Sequence, residues 1–479
     1  MQIFLEGKIL GVDDCLLAPV TRDADAVFTG RSHWISLLSE VLPRALLAEL
    51  GLAKILLGSS GGGRFMMLLP IESREAADAF LVAAAAEIAQ LSGSALKLIW
   101  SSTENLGDWT DVRKRLQDGL ERRRGAPGFD ASVTVADASA EDYFVTELGF
   151  PLRDAGSVSW SPATPGRVTT SAGKHAWPLA ATDEIPFARH TAPSEDGTEP
   201  ASTAVLAGRA GGVETWGVLR GDVDNFAIRM QRSASIEEHI SLSVMYKQFF
   251  AGELEVLCSM PEFWRKVTVM YSGGDDFAVY GAWDALIGLA GEIERLFHRF
   301  AETNLKDFDG LEGKTITMAL ALAPAVDASL GAVFEEAGQR LEAAKSASKD
   351  CIWLLGRTLE WKQFAEATTL KDTLSKMVTE FGCSPQYLHD LCGIYRETQS
   401  RMSKKQARKL GGERPWRYHR RIRRILNASR PGNKGRQEYQ KARAALIADL
   451  IGRSAITVKL RPAGRVALEW ARLSAAAQA

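Results

Sequence analysis

Two similar glycine-rich turns, each set between short apolar runs, constrain the fold of this chain more than any other feature. The turn at 60–65 reads SGGGRF and the turn at 272–277 reads SGGDDF. Glycine adopts the positive φ angles that tight turns require, so each turn with its apolar flanks predicts a β-hairpin. Segments with apolar residues three and four apart flank both hairpins and predict helices. The matching order of elements indicates a degenerate internal repeat, although glycine turns of this kind are common.

The elements predicted for the first half are a helix at 32–50, the hairpin, a helix at 72–93 and a strand at 95–100. Those predicted for the second half are a strand at 216–226, a helix at 234–254, the hairpin, a helix at 283–303, and then a strand, a helix and a strand at 315–323, 330–345 and 351–356. Between the halves, clusters of Pro, Gly, Ser and Thr predict an irregular insert and a linker. The predicted domain boundaries are 1–124, 125–212, 213–358 and 359–479.

Two carboxylates, Asp275 and Asp276, stand at the tip of the second turn, whereas the first turn has Gly63 and Arg64 there. At most one half of the chain is therefore predicted to hold a catalytic metal ion. Asp and Gly are also the commonest turn residues, so an exposed hairpin without a metal is the alternative from the turn alone.

Two further carboxylates, Asp222 and Asp224, end the strand predicted upstream of this turn. Side chains alternate along a strand, so one of the pair can point where Asp275 points if the two strands are neighbours. Clustered carboxylates repel one another unless a cation lies between them. Oxygen ligands without His or Cys nearby suit Mg²⁺ or Mn²⁺. The combined pattern favours a divalent-metal site over a plain turn.

Such a site meets the demands of nucleotidyl transfer, in which metal ions activate an attacking hydroxyl and neutralise charge on the phosphates. A nucleoside triphosphate is the predicted substrate. Lys345 and Lys349, at the end of the helical segment LEAAKSASKD, are candidates to contact its phosphates as point charges. A solvated helix end is the alternative interpretation of both lysines.

The five cysteines are scattered singly, with no Cys-x-x-Cys pair, which predicts reduced, mostly buried thiols and no structural zinc. No uncharged apolar run reaches the ~18 residues of a membrane span, and the amino terminus does not have the pattern of a signal peptide. We therefore expect a cytoplasmic protein without membrane contact.

The carboxy-terminal region is strongly basic although the chain as a whole has a net charge of −1. Residues 401–443 contain 16 Lys or Arg against two acids, a net charge of +14 that leaves −15 for the rest. The region is predicted to be helical over 370–450, with breaks at Gly411-Gly412 and Pro431-Gly432. Aromatic residues lie among its arginines, a mixture suited to phosphates and bases. The candidate nucleic-acid contacts are Arg417, Arg420, Arg421 and Arg424, and a solvated face or a docking surface for an acidic partner is the alternative.

Taken together, these motifs resemble the large, cyclase-bearing subunit of type III CRISPR-Cas (Csm/Cmr) effector complexes. The matching stretches span most of the chain: FTGRSHWISLLSEVL, LGSSGGGRFMMLLP, LRGDVDNF, YSGGDDF, LEAAKSASKD and the terminal VALEWARLSA. The resemblance implies an α+β fold of two ferredoxin-like palm domains, related to polymerase palms and GGDEF cyclases. It also implies an irregular insert between them and a basic carboxy-terminal helical bundle.

The resemblance implies that the second palm, with the first completing the pocket, joins ATP into cyclic oligoadenylate when target RNA is bound. Asp275, Asp276 and Asp222 would be the catalytic carboxylates, and together with the less certain Asp224 they would hold the metal. The implied nucleotide-binding residues are Ser272, Gly273, Gly274, Lys345, Lys349, Gly61 and Gly62. Ser348 replaces a glycine usual in the family, which leaves the contacts of Lys349 in question. The implied partners are other effector subunits, crRNA, target RNA and possibly DNA.

Two other functions stay open from the sequence. One is a palm-containing subunit that binds RNA and partner proteins while its own catalysis is weak or lost. The other is a diguanylate-cyclase-like enzyme that acts on GTP, which the Asp-Asp-Phe turn, the second palm and the basic region disfavour. Family members often begin with an HD nuclease domain, and because none precedes the first half here, we expect no DNase activity of that type.

Overall fold

A computed structural model describes residues 1–21, 23–125, 138–179, 185–400, 415–428, 436–451 and 462–475. The first half forms a four-stranded antiparallel sheet in the order β2-β3-β1-β4. Its strands are β1 (Gln2–Leu10), β2 (Leu57–Gly61), β3 (Arg64–Pro70) and β4 (Lys97–Glu104). The helices of this half are α1 (Val12–Leu16), α2 (Ala24–Glu49), α3 (Arg74–Leu91) and α4 (Trp109–Arg124). This order of strands and helices is that of a ferredoxin-like domain.

The central strand β1 is not among the predicted strands, and α2 begins at Ala24 rather than at residue 32. The burial of β1 alternates only in its second half, because Ile3 and Leu5 pack into the core while Phe4 is covered by Trp109 of α4. A strand that is covered on both faces has no clean alternation of apolar and polar residues. This explains why its pattern is weak in the sequence.

The described part of the insert is more ordered than the sequence predicted. It contains α5 (Ala138–Leu148), α6 (Phe150–Asp154), α7 (Thr203–Gly208) and a two-stranded sheet of β5 (Ser157–Trp160) and β6 (His175–Pro178). Trp34 of α2 donates a hydrogen bond from Nε1 to the carbonyl oxygen of Gly166 at 3.0 Å. His33 of α2 lies 2.7 Å from the carbonyl oxygen of Leu148. The insert therefore completes the core of the first half.

The second half forms a six-stranded sheet in the order β12-β11-β10-β7-β9-β8. Its strands are β7 (Trp216–Val223), β8 (Val267–Ser272), β9 (Asp276–Ala282), β10 (Ile316–Leu322), β11 (Cys351–Leu354) and β12 (Arg357–Glu360). The helices of this half are α8 (Phe226–Gln231), α9 (Ile236–Gln248), α10 (Leu254–Cys258), α11 (Trp283–Asn304) and α12 (Leu330–Ala347). A π-helical turn, Phe249–Glu253, joins α9 to α10. The predicted helices and strands of this half are confirmed apart from shifts at their ends.

The two sheets share one topology, since β8-β9-β7-β10 repeats the order β2-β3-β1-β4. The repeat extends to individual residues. Gly7 pairs with Phe65 in the first sheet, and Gly221 pairs with Phe277 in the second. In both pairs a side chain on the glycine would overlap the phenylalanine ring, so each glycine is required by the ring across from it. The predicted α+β fold with two palm-like halves is confirmed.

Helices make up the described carboxy-terminal part: α13 (Trp361–Thr379), α14 (Gln386–Ser400), α15 (Pro415–Ala428), α16 (Arg436–Ile451) and α17 (Pro462–Ala475). Trp470 of α17 stacks on Phe364 of α13 with 6.2 Å between the ring centroids. The backbone N–H of Val213 donates to the carbonyl of Leu473 at 2.9 Å, which ties α17 to the start of the second half. The predicted helix breaks at Gly411-Gly412 and Pro431-Gly432 lie outside the described residues. None of the described helices is long and apolar enough to cross a membrane.

Candidate functional site: two glycine turns and a carboxylate cluster

The two glycine-rich turns meet backbone to backbone. A Cβ atom on Gly62 would lie 2.7 Å from the backbone nitrogen of Gly274, closer than real Cβ contacts allow. Gly62 also has a φ of 59°, in the left-handed region that favours glycine. The turn of each half is therefore seated against the turn of the other, an arrangement that the separate hairpins could not reveal.

A cavity lies on each side of this contact. The larger one, of about 260 Å³, is bordered by Gly61 and Gly62 of the first turn and by Gly274 and Asp275 of the second. The smaller one, of about 210 Å³, is bordered by Gly62, Gly63, Ser272, Gly273 and Asp276. Every glycine predicted to bind nucleotide, together with Ser272, therefore borders one of the two cavities.

Three of the predicted carboxylates share one partly buried corner. Asp222 on β7 and Asp276 on β9 are paired directly across the two neighbouring strands. Burial and the charge of Asp222 raise the pKa of Asp276 to about 6. Burial, together with the charges of Asp276 and Asp222, raises the pKa of Asp275 well above its ordinary value. This cluster is electrostatically unfavourable when fully ionised, so a cation there would stabilise it.

Two residues that the sequence did not single out hold Asp276 in place. Tyr271 is hydrogen-bonded to Asp276, and the Arg220 charge lowers the pKa of that carboxyl against the effect of burial. The guanidinium of Arg220 lies over the ring of Phe334, 4.0 Å from its centroid. Gly273 has no side chain, which gives the Asp276 carboxylate room against the turn. Arg220 lies two residues before Asp222 in LRGDVDNF, a spacing that could have identified it from the sequence.

Ser272 anchors the second turn to the helix beside it. Its hydroxyl donates a hydrogen bond of 2.6 Å to the carbonyl oxygen of Phe250, which belongs to the π-helical turn. Ser272 therefore positions the turn and borders the smaller cavity at the same time.

Both predicted lysines contact residues at or just after the end of β7. The ammonium of Lys345 is 2.8 Å from Oδ2 of Asp222. That of Lys349 is hydrogen-bonded to the side chain of Asn225. Only Lys345 therefore touches the carboxylate cluster, in agreement with the weaker case that the sequence made for Lys349.

Asp224 has partners that differ from those expected of a metal ligand. Its carboxylate accepts hydrogen bonds of 2.7 Å from the hydroxyls of Thr315 and Thr317 and one of 2.9 Å from the backbone N–H of Asp350. The side chain is almost fully buried, because β7 ends at Val223 and the chain turns toward β10. These contacts give Asp224 a structural role in joining β7 to β10 and to the loop before β11.

Within the described residues, no three His, Cys, Asp or Glu side chains are grouped closely enough to enclose a metal ion by themselves. The donor set nevertheless fits Mg²⁺ or Mn²⁺, since the clustered groups are carboxylates whose mutual repulsion a divalent cation would relieve. These ions usually retain water or take phosphate oxygens in addition to one or two protein carboxylates. A ligand set shared between Asp222, Asp275, Asp276 and a substrate fits both observations.

A buried ion-pair network lies beside the first turn and joins the two halves. The ammonium of Lys247, on α9, lies 2.6 Å from Oε1 of Glu40 on α2. Arg44 and the hydroxyl of Ser60 contact the other oxygen of Glu40 at 2.9 and 2.8 Å. This network could not be predicted from the sequence, because its members come from three separate segments.

The basic helix α15 presents arginines on the surface. Arg420, Arg421 and Arg424 are exposed, while Ile422 and Leu426 are buried in the helical core. Arg417 falls on the same helix, but its side chain lies outside the described residues. The helix is thus amphipathic, with an apolar face inside and a cationic face outside.

A ferredoxin-like sheet that carries paired acids on its central strand and on the adjacent hairpin defines a palm domain of nucleotidyltransferase-like fold. This chain is a two-palm protein in which only the second palm has the acids. Residues 215–353 match the family described as Cas10/Cmr2, second palm domain. The second palm of this chain therefore matches the second palm of the Cas10 large subunits of type III CRISPR systems, and the chain resembles those subunits.

Curated relatives match parts of the chain, and solved structures match its fold. The chain is similar to the CRISPR system single-strand-specific deoxyribonuclease Cas10/Csm1 (subtype III-A) of Enterococcus italicus, with 27% identity over 176 residues, 35% of this chain and 22% of the relative. The protein of the same description from Mycobacterium tuberculosis is 31% identical over 116 residues, 20% of this chain and 14% of the relative.

Among solved structures, the apo Csm1-Csm4 cassette aligns with a TM-score of 0.69 and 16% identity, over 99% of this chain and 70% of that one. The Csm1-Csm4 cassette in complex with one ATP aligns with a TM-score of 0.62 and 17% identity, over 77% of this chain and 58% of that one. The chain thus spans less than a quarter of the length of the two curated relatives and more than half of the solved chains.

Proposed function

We propose that this chain is the cyclic oligoadenylate synthase subunit of a type III CRISPR RNA-guided complex, and that bound target RNA activates it. The observation that carries the proposal is the contact between the two glycine turns, with a cavity on each side and carboxylates on one turn only. One nucleotide can then bind in each cavity, and a single metal site can promote bond formation between the two nucleotides. Similar proteins have been crystallised with cA3 and with cA4, which supports a nucleotide-joining activity of this class.

Asp222, Asp275 and Asp276 are the residues that would hold Mg²⁺ or Mn²⁺. When bound, such an ion lowers the pKa of a 3′-hydroxyl and neutralises charge on the α-phosphate and on the leaving pyrophosphate. Asp224 is left out of this proposed set because its carboxylate already accepts three hydrogen bonds from the protein.

The chain's own groups prepare this chemistry. Lys345 contacts Asp222 at 2.8 Å, and its charge favours the ionised form of that carboxylate against the effect of burial. The same ammonium is placed to pair with a triphosphate oxygen as a point charge. Arg220 and Tyr271 orient Asp276. The absence of side chains at Gly62, Gly273 and Gly274 lets the nucleotides approach the backbone.

Partners and location belong to the same proposal. The solved relatives are complexes of Csm1 with Csm4, and we infer that this chain likewise assembles with other effector subunits, crRNA and target RNA in the cytoplasm. The exposed arginines of α15 are the proposed contacts with RNA, or with DNA, because they form a cationic face on an otherwise packed helix.

The test uses the assembled complex with radiolabelled ATP or GTP, Mg²⁺ or Mn²⁺, and cognate target RNA. We expect a cyclic product from ATP that disappears in the Asp275→Ala/Asp276→Ala variant. A charge-matched control, Asp307→Ala/Asp309→Ala, removes two exposed acids and is expected to leave product formation unchanged. If neither nucleotide gives a product that depends on Asp275 and Asp276, the subunit binds RNA and partners without this catalysis. A product from GTP alone would instead favour a diguanylate-cyclase-like enzyme.

A further inference from the structure

The two palms have opposite charges at equivalent positions. In the second palm, Asp222 and Asp276 form the cross-strand pair next to Gly221 and Phe277. In the first palm, the pair at the same place, next to Gly7 and Phe65, is Lys8 and Arg64. The equivalent glycine–phenylalanine pairs establish this correspondence from the strand pairing, without any alignment of the two sequences.

A third position is inverted in the same way. The residue before the glycine that pairs with phenylalanine is Arg220 in the second palm and Glu6 in the first. Arg220 favours the ionised form of Asp276, and Arg64 likewise favours the ionised form of Glu6. An arginine that supports acids in one palm is thus replaced by an acid that supports cations in the other.

The cations of the first palm border the larger cavity. Lys8 and Arg64 border it together with Arg113 and Arg124 of α4. Burial and the charges of Arg64 and Arg124 lower the pKa of Lys8, which shows that these cations crowd one another.

Three acids, Glu6, Glu121 and Asp275, and a fifth cation, Lys247, also border the larger cavity. Lys247 is already paired with Glu40. Lys8, which is half-buried, and Arg64, which is exposed at the edge of the cavity, remain as a cationic pair that an anion would stabilise.

The rest of the cavity suits a nucleotide. Trp109, Phe226 and Met230 provide apolar and aromatic surface, and Gly61 and Gly62 allow close approach to the backbone. Asp275 borders the same space from the second palm, and the Arg64 charge acts on it directly. A nucleotide held here lies beside Asp275 and across the turn contact from Asp276, which borders the smaller cavity.

We propose that Lys8 and Arg64 bind the polyphosphate of a nucleoside triphosphate directly, without a divalent cation, so that the two palms hold nucleotides with opposite dependence on metal. This inference rests on the proposed function, since it assigns the second nucleotide of that reaction to the first palm. Arginine binds phosphate through paired N–H groups and lysine binds it as a point charge, and neither needs a bridging ion.

Equilibrium dialysis of the full chain with radiolabelled ATP tests the proposal. With EDTA we expect one ATP per chain, and with Mg²⁺ we expect two. Tripolyphosphate in EDTA is expected to displace the ATP bound under those conditions, whereas adenosine at the same concentration is not. Absence of ATP binding in EDTA would overturn the inference.

Paired variants assign the two sites. Lys8→Gln/Arg64→Gln is expected to weaken binding in EDTA at least tenfold while the Mg²⁺-dependent ATP remains. Asp222→Asn/Asp276→Asn is expected to weaken the Mg²⁺-dependent binding of ATP at least tenfold while binding in EDTA remains. Lys8→Arg/Arg64→Lys keeps both charges and should retain binding, which separates loss of charge from misfolding. Removal of two exposed cations elsewhere, Arg295→Gln/Arg340→Gln, is the control for net charge.

The outcomes also separate this inference from the proposed function. If binding in EDTA is unchanged in Lys8→Gln/Arg64→Gln, the assignment to the first palm is wrong although the synthase proposal stands. If Mg²⁺ adds no second ATP to the wild-type chain, the synthase proposal fails while the metal-independent site remains.

Discussion

At the scale of single residues, the contact between the turns depends on glycines that serve different purposes. Gly62 needs both a positive φ and an absent side chain, because the backbone of Gly274 lies against it. Gly51 also has a positive φ, of 66°, but nothing lies within 4 Å of the place where its Cβ would be. The two positions therefore separate the effect of backbone strain from that of close approach.

We expect Gly62→Ala to reduce the free energy of unfolding by more than Gly51→Ala does. Strain at positive φ costs about 1 kcal/mol in either variant, and the clash with the second turn adds to it only at Gly62. Urea unfolding of both variants measures the difference, and product formation should fall only in Gly62→Ala. Equal losses of stability would show that the turns are not in contact.

Lys345 and Lys349 provide a second matched comparison. Lys345→Met removes the cation that contacts Asp222, and we expect kcat/KM for ATP to fall at least tenfold. Lys349→Met breaks only the contact with Asn225 and should have a smaller effect. Steady-state synthesis by the assembled complex measures both. A larger loss in Lys349→Met would contradict the assignment of Lys345 to the phosphates.

His33 links pH to stability. It is fully enclosed between α2 and the insert, and burial lowers its pKa to about 4. The His33 imidazole is therefore protonated near pH ~6.5 in the unfolded chain but only near pH ~4 in the folded chain. Between these two values the unfolded state binds more protons, so acidification lowers the free energy of unfolding. The slope from this group is at most about 1.4 kcal/mol per pH unit.

Urea unfolding between pH 7.5 and pH ~4.5 measures this slope. We expect His33→Gln to have a shallower dependence than the wild type. His298, which is exposed on α11, provides the control, and His298→Gln should leave the slope as it is. A wild-type slope in His33→Gln would mean that other groups account for the dependence.

At the scale of secondary-structure elements, α2 of the first palm and α9 of the second are joined through the buried pair of Glu40 and Lys247. The side chains are 4% and 13% exposed, so each charge depends on the other for compensation. This contact lies next to Ser60 and Gly61, and it fixes the position of the first turn relative to the second palm.

We expect Lys247→Met to lower the free energy of unfolding by about 3–5 kcal/mol, because it leaves the Glu40 carboxylate buried with weaker compensation. The double variant Glu40→Gln/Lys247→Met should recover part of that loss. Arg295→Met breaks an exposed ion pair with Glu292 and should change stability by less than about 1 kcal/mol. If the double variant is less stable than Lys247→Met alone, the pair is not the coupled unit described above.

At the scale of the whole molecule, the fold combines one palm rich in acids, one palm with cations at the same positions, and a helical part with a basic surface. With this division of charge, a chain whose net charge is −1 would bind polyanions at the two proposed places, the first palm and the helical part. The third place where charge is concentrated is α15, whose exposed arginines lie away from the buried Ile422 and Leu426.

We expect Arg420→Gln/Arg421→Gln/Arg424→Gln to weaken RNA binding by the complex and to reduce the slope of log affinity against log salt. Each lost phosphate contact removes about 0.7 to 0.9 from that slope. Filter binding over a range of salt concentrations measures it, and Arg295→Gln/Arg299→Gln/Arg340→Gln is the matched control. An unchanged slope would instead assign the arginines to a protein partner.

Local pattern alone predicted much of this protein. Glycine turns between apolar runs gave both hairpins, helical spacing gave the flanking helices, and the acids that follow a strand gave the place of the carboxylate cluster. These features depend on residues close together in the chain, so the sequence expresses them directly. The pairing of Asp222 with Asp276 followed once their strands were neighbours.

Only the tertiary structure decided the remainder. Asp224 accepts hydrogen bonds from Thr315, Thr317 and Asp350, which are far from it in sequence. The ordered packing of the insert also depends on segments far apart in sequence. The same holds for the contact of Gly62 with Gly274 and for the opposed pairs Lys8–Arg64 and Asp222–Asp276. Strand register and the docking of two domains set these relations, and no local periodicity records either of them.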